Sequence, residues 1–124
     1  MDELLEQLDE IFPNPPFSIS CFDSIDEIHE KFCDEQVVFI YDDRASLDNY
    51  YYESFTEEEL SKLRNYTKVT ASNNTYVTYK DVLDSMINDP HYHNEIIMQD
   101  PHRFLEGFIK SKASHIQYSC IWGS

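Results

Sequence analysis

Leu4, Leu5, Leu8, Ile11 and Phe12 recur at helical spacing, while Asp2, Glu3, Glu6, Asp9 and Glu10 fill the positions between them. This pattern predicts an amphipathic first helix. Pro13, Pro15 and Pro16 cannot continue it, because each lacks a backbone donor and biases the preceding residue toward extended geometry. Phe17 to Phe22 then reads as a short strand. Ser24 and Glu27 stand at capping-box spacing ahead of Ile25, Ile28 and Phe32, which predicts a second helix over about residues 25–33.

The run from Gln36 to Tyr41 holds Val37, Val38, Phe39 and Ile40, strand formers in a stretch too short for a typical helix. It predicts a central strand buried on both faces. Residues 44–55 show no period and read as a surface loop, after which Thr56 and Glu59 repeat the capping-box spacing ahead of Leu60 and Leu63. Lys68 to Ser72 and Thr75 to Tyr79 alternate around Asn73 and Asn74, the pattern of a β-hairpin. Thr78 is placed to cap a helix carrying Val82, Leu83, Met86 and Ile87. Asp100 followed by Pro101 suggests another helix start, before Phe104, Leu105, Phe108 and Ile109. From Ser114 to Trp122, Ile116, Tyr118, Cys120 and Trp122 alternate with polar residues, as a half-buried strand requires. The expected fold is α+β, a single compact domain over residues 1–124, with a four- to five-stranded mostly antiparallel or mixed sheet packed with about five short helices.

Composition changes the picture in one respect. The chain of 124 residues has 24 Asp and Glu against nine Lys and Arg, a formal net charge of −15. Residues 1–66 hold 18 of those acids and four of the bases. A hydrophobic content of 41% with 15% aromatics is too high for a disordered acidic tail, so the chain is expected to fold around a core. Such a charge opposes direct binding of nucleic acid or of an anionic membrane surface, since both require cationic partners. Cys21, Cys33 and Cys120 are odd in number and widely spaced, which fits reduced thiols. The acidic N-terminal stretch lacks the basic and apolar regions of a secretory leader, and no apolar run approaches transmembrane length, so a cytoplasmic location is expected.

Two acidic groups are the candidate partner-binding surface. The first comprises Asp42, Asp43, Asp48, Glu53, Glu57, Glu58 and Glu59, interleaved with Tyr50, Tyr51 and Tyr52. Carboxylates pair with Arg or Lys, and tyrosine adds apolar area with a hydroxyl at small entropic cost. The second is Asp23, Asp26, Glu27 and Glu30. Each group has a plainer explanation, in a solvated face with core tyrosines for the first and in favourable helix-dipole placement for the second. Local capping leaves the overall excess of acid unexplained.

Other chemistry has less support. His91 and His93, with Asp89, Glu95, Asp100 and His102 nearby, have the ligand types of a transition-metal site, but their flanking prolines indicate a surface loop, and neither metal nor cofactor is expected. Asp42 and Asp43 follow a strand and could serve acid–base chemistry, yet neighbouring strand residues point to opposite faces. With two glycines in the chain there is no phosphate-binding loop, and no catalytic residue is assigned. The sequence therefore points to an acidic binding or inhibitor protein, a nucleic-acid mimic or an immunity protein, that occupies the cationic face of a nucleic-acid-binding protein or nuclease, as a monomer or homodimer. The alternative is a self-associating module whose interface draws on Tyr92, Phe104, Phe108 and Trp122, with acidity serving solubility.

Overall fold

The computed structural model describes residues 2–42 and 55–123, and Asp43, Asp48, Tyr50, Tyr51, Tyr52 and Glu53 lie outside the described residues. The first helix, α1 (Asp2–Ile11), forms as its apolar spacing predicts, and Leu4, Leu8 and Phe12 bury along one side. After the prolines the expected strand contracts to β1 (Ser18–Ile19), held where the Ser18 N–H donates to the carbonyl of Arg103 at 3.0 Å. The second helix is a single 3₁₀ segment, η1 (Ile25–His29), rather than a helix to residue 33. Ser24 makes no side-chain cap; the Glu27 carboxylate instead accepts the N–H of Asp23 at 3.0 Å. The chain leaves η1 because tertiary bonds compete with its continuation. Lys31 bridges Thr78, and the Phe32 N–H donates to the Val77 carbonyl at 2.8 Å.

Strand β2 (Val37–Asp42) lies inside the sheet, and Val38, Ile40 and Asp42 are buried on one face. Val37, Phe39 and Tyr41 on the other face are only half-buried, which corrects the expectation of burial on both sides. Helix α2 (Glu57–Leu63) carries the predicted capping box, with Thr56 Oγ accepting from the Glu59 N–H and the Glu59 carboxylate accepting from the Thr56 N–H, both at 3.1 Å. Strand β3 (Asn65–Thr70) pairs antiparallel with β2 across α2, not with residues 75–79. The expected hairpin is therefore absent. Asn74 does adopt a left-handed conformation, with φ of 64°, but the chain beyond that turn joins residues 31–35 and enters α3 (Tyr79–Asn88).

A second capping box starts α3. Thr78 Oγ accepts from the Asp81 N–H, and Asp81 Oδ2 accepts from the N–H groups of Thr78 at 3.1 Å and Ser72 at 3.3 Å, tying the Asn73–Asn74 turn to the helix start. Burial alone pushes the Asp81 carboxyl upward, but the bonds from Thr78 and Ser72 together outweigh it and hold the group below the usual carboxylate value. Its contribution to stability is thus fully present above the unfolded value of about 3.9 and is lost as pH falls through the lower folded value. Asp81→Ala is expected to cost about 1–2 kcal/mol in urea unfolding at pH 7. The gap from wild type should narrow as pH is lowered below about 4; a gap unchanged at pH 3 would contradict this assignment.

Beyond α3 lie a 3₁₀ turn, η2 (Pro90–His93), and the short α4 (Glu95–Met98). The segment expected as a further helix is strand β4 (Phe104–Lys110), and β5 (Gln117–Gly123) follows with the predicted alternation. The sheet order is β1-β4-β5-β2-β3, with β1 parallel to β4 and β5 parallel to β2, and with the other two pairs antiparallel. A five-stranded mixed sheet with helices makes the fold α+β, as expected. Between Leu105 and Gly107 a bulge inserts Glu106, so Leu105 pairs with Trp122 and Phe108 with Cys120. Residues three apart thereby share a face, the same spacing a helix would produce.

The main core collects Leu4 and Leu8 of α1, Phe12 just after it, Ile28 of η1, Val82, Leu83 and Met86 of α3 and the inner residues of the sheet. Leu63 and Ile97 form a smaller cluster. The opposite sheet face keeps Tyr66, Phe104, Ile109 and Ile121 exposed. No helix among the described residues is long and apolar enough to cross a membrane.

Candidate acidic aromatic pocket

The layer of helices does not close completely over β4 and β5. A cavity of about 490 Å³ remains, walled by Cys21, Phe22, Phe32, Tyr79, Phe108 and Tyr118, with Glu27, Glu30, the bulge residues Glu106 and Gly107, and Lys110 completing its lining. Four separate stretches of chain supply these residues, each fixed by a local device. Tyr79 is the first residue of α3, set by the Thr78 cap and by donation of its N–H to the Glu30 carbonyl at 3.1 Å. Phe32 is set by its bond to Val77, and the bulge brings Phe108 onto the inner face opposite Cys120.

The rings interlock edge to face. Phe32 meets Tyr79 at 5.2 Å and 87°, and Phe108 at 5.3 Å and 88°, while Tyr79 meets Phe22 at 5.5 Å and 81°. Tyr118 lies tilted against Phe32 at 4.6 Å. Such geometries match ring edges to ring faces and stabilise the wall beyond its buried area.

The pocket carries a negative field. Burial, opposed by a backbone hydrogen bond and reinforced by the charge of Glu27, pushes the Cys21 thiol up to about 11. The Tyr79 hydroxyl is also raised, first by burial and then by Cys21, Glu30 and Glu27. Burial likewise raises Tyr118, with Cys33 and Glu35 adding to it. Groups that would become anionic here are held neutral by desolvation and by these carboxylates, and the same carboxylates favour a positive charge brought to the mouth.

Half of the second acidic group named from sequence lies at this pocket. Glu27 and Glu30 line it, with Asp23 and Asp26 exposed on the same short segment. The first group is not brought together among the described residues. Glu57 and Glu58 are exposed on α2, where Glu58 lies 3.9 Å from Lys62, and Glu59 is engaged in its capping box. Asp42 is fully buried, which removes it from any contact surface. Its carboxylate lies 2.7 Å from Nε2 of His91, whose side chain is also buried. Strand alternation accounts for this, because Val38 and Ile40 face the core and Asp42 follows them in phase.

His91 was expected in a surface loop. It lies instead in η2, where the Asp89 carboxylate accepts its N–H at 2.9 Å and also accepts from Asn65 and Thr67, both at 2.7 Å. His93 faces the Ile87 carbonyl at 2.6 Å, and His102 is 3.1 Å from Asp100. Among the described residues no group of three or more His, Cys, Asp or Glu is placed to hold a metal ion.

From sequence, Phe32 reads as part of a buried helix stripe, Phe108 as part of a candidate self-association interface and Tyr118 as part of a half-buried strand, and nothing brings them to one pocket. No spacing rule links residues 21–32, 79 and 106–118, which meet through tertiary hydrogen bonds, ring contacts and the sheet. Comparisons of the chain with protein-family models, with curated proteins and with solved structures found no match in any of the three.

Proposed function

We propose that this protein is an acidic binding protein that occupies the cationic surface of a basic partner, a nucleic-acid-binding protein or a nuclease, in the manner of a nucleic-acid mimic or an immunity protein. The observation that carries the reading is the placement of Glu27 and Glu30 at an aromatic-walled cavity on a chain of net charge −15. Opposite fields speed encounter, and desolvated aromatic and charged contacts slow dissociation. Asp26 on η1 and Asp23 just before it add exposed negative charge to the same segment. The reading assigns no catalytic step.

A second reading, self-association, draws on a different face. Of the residues expected at that interface, Tyr92 is buried, Trp122 and Phe108 are half-buried and only Phe104 is exposed. Tyr66, Ile109 and Ile121 are nevertheless exposed on the same face of the sheet as Phe104. The outer-face residues of β2, β3 and β5 include Lys68 and no carboxylate.

One experiment separates the readings. The purified protein is immobilised and used to capture partners from a nucleic-acid-depleted lysate at low salt, followed by elution on a salt gradient, alongside sedimentation of the free protein. The binding reading expects basic nucleic-acid-binding proteins or nucleases to be retained and then released as ionic strength rises, because exposed charge pairs are screened beyond about 10 Å at 0.1 M salt. Retention that ignores salt would overturn the charge-based reading, and no basic protein retained from a protein that sediments as a stable dimer would favour self-association.

A further inference from the structure

We propose that the aromatic pocket is a socket for the guanidinium group of an arginine side chain, presented by the basic partner. This inference rests on the binding reading above and names the chemical group that its site receives.

Three features of the cavity select that group. Its volume of about 490 Å³ lies in the range of small-ligand sites and admits a whole extended side chain. Phe22, Phe32, Tyr79, Phe108 and Tyr118 form its walls, and aromatic faces attract a cation while also covering an apolar stem. Glu27 and Glu30 stand at the mouth and make no ion pair within 4 Å among the described residues; one oxygen of Glu27 already accepts the Asp23 N–H. Burial is the main cause of the upward displacement of Cys21 and Tyr79, and Glu27, with Glu30 at Tyr79, adds a smaller push in the same direction.

Guanidinium fits better than ammonium for two reasons. It is planar and weakly hydrated, so it stacks on an aromatic wall at smaller desolvation cost. It also presents paired N–H donors to a carboxylate, whereas an ammonium acts as a point charge. Lys110, exposed on the lining, supplies the opposing charge. It weakens the attraction for any cation, and its removal should therefore tighten binding.

The test titrates acetyl-arginine amide, acetyl-lysine amide and acetyl-citrulline amide into the full chain, following ring and backbone signals by NMR. Citrulline keeps the shape of arginine without its charge. Saturable shifts confined to Cys21, Phe32, Tyr79, Phe108 and Tyr118 are expected, strongest for arginine and weakest for citrulline. Glu30→Gln, an exposed substitution that leaves the walls intact, should weaken arginine binding about three- to fivefold, and Lys110→Met should strengthen it about twofold or more. Equal binding of citrulline, shifts that map elsewhere, or no shift at all would overturn the socket. Its failure is distinguishable from that of the binding reading. Basic proteins captured at low salt alongside a silent arginine titration would leave the acidic surface acting without the pocket. Pocket shifts with arginine and no captured partner would instead sink the choice of partner while retaining a guanidinium site.

Discussion

Asp42→Ala is expected to destabilise the protein by about 2–4 kcal/mol, because it leaves the buried His91 imidazole without its partner and a gap where the carboxylate stood. Asp42 has no exposed surface and lies 2.7 Å from Nε2 of His91, whose Nδ1 is buried without a hydrogen-bond partner among the described residues. Deleting the carboxylate therefore removes the described partner of the ring, and a buried polar group left unpaired carries its full desolvation cost. Against a total stability of about 5–15 kcal/mol for an ordinary domain, that loss is a large fraction, equivalent to a fall of about 10–20 °C in Tm. Asp42→Asn keeps an acceptor for the ring and should lose less. Changing both residues to leucine should recover part of the deficit, since apolar replacement of a buried pair is often close to neutral. Urea unfolding of the four proteins measures this directly. A loss below about 1 kcal/mol for Asp42→Ala would mean that the pair does not hold η2 against the end of β2.

The second large effect is expected at Phe32. This ring touches Tyr79, Phe108 and Tyr118, and so joins the start of α3 to β4 and β5. It is only partly buried because one side faces the pocket, so Phe32→Ala should cost about 2–3 kcal/mol, below the usual range for a fully enclosed phenylalanine. Phe32→Leu retains most of the volume and loses the ring contacts, with an expected cost of about 1 kcal/mol. The substitutions should also loosen the pocket wall, visible as altered ring signals of Tyr79 and Tyr118. If Phe32→Leu costs nothing, the edge-to-face contacts contribute nothing beyond filling space.

Together the two sites describe a division within the molecule. The Asp42–His91 pair lies at the end of β2, and neither residue lines the pocket. Its described geometry therefore concerns how η2 is anchored. The pocket lies over β4 and β5, and besides Glu106 of β4 its carboxylates come from η1 and its C-cap Glu30, a segment with few residues of its own in the core. An acidic surface on a short segment held by a few backbone bonds can present charge without burying it. That arrangement avoids the desolvation penalty that Asp42 meets inside the sheet.

Elements whose signals are local were legible in the chain. The four-residue spacing of Leu4, Leu8 and Phe12 determined α1, Thr56 with Glu59 determined the start of α2, Thr78 located the start of α3, and the alternation through Tyr118, Cys120 and Trp122 determined β5. In each case the physical cause acts within one or two turns or along one strand, so the residues that specify the element are those that form it. The acidic character of residues 23–30 was legible for the same reason, since charge is a property of composition.

Decisions that depended on partners distant in the chain were not legible. Leu105 and Phe108 are compatible with a helical stripe, and β4 prevails because β1 and β5 satisfy its backbone while the bulge at Glu106 brings both residues inward. Residues 68–79 have the alternation of a hairpin, but β2 pairs with the first half and residues 31–35 take the second. Asp42 reads as an exposed acid until strand phase places it beside His91, 49 positions away. The pocket exists only once η1, α3, β4 and β5 meet. Local sequence set which elements were available, and long-range hydrogen bonding and packing chose among them, because a backbone group or apolar face left without a partner costs more than any local preference supplies.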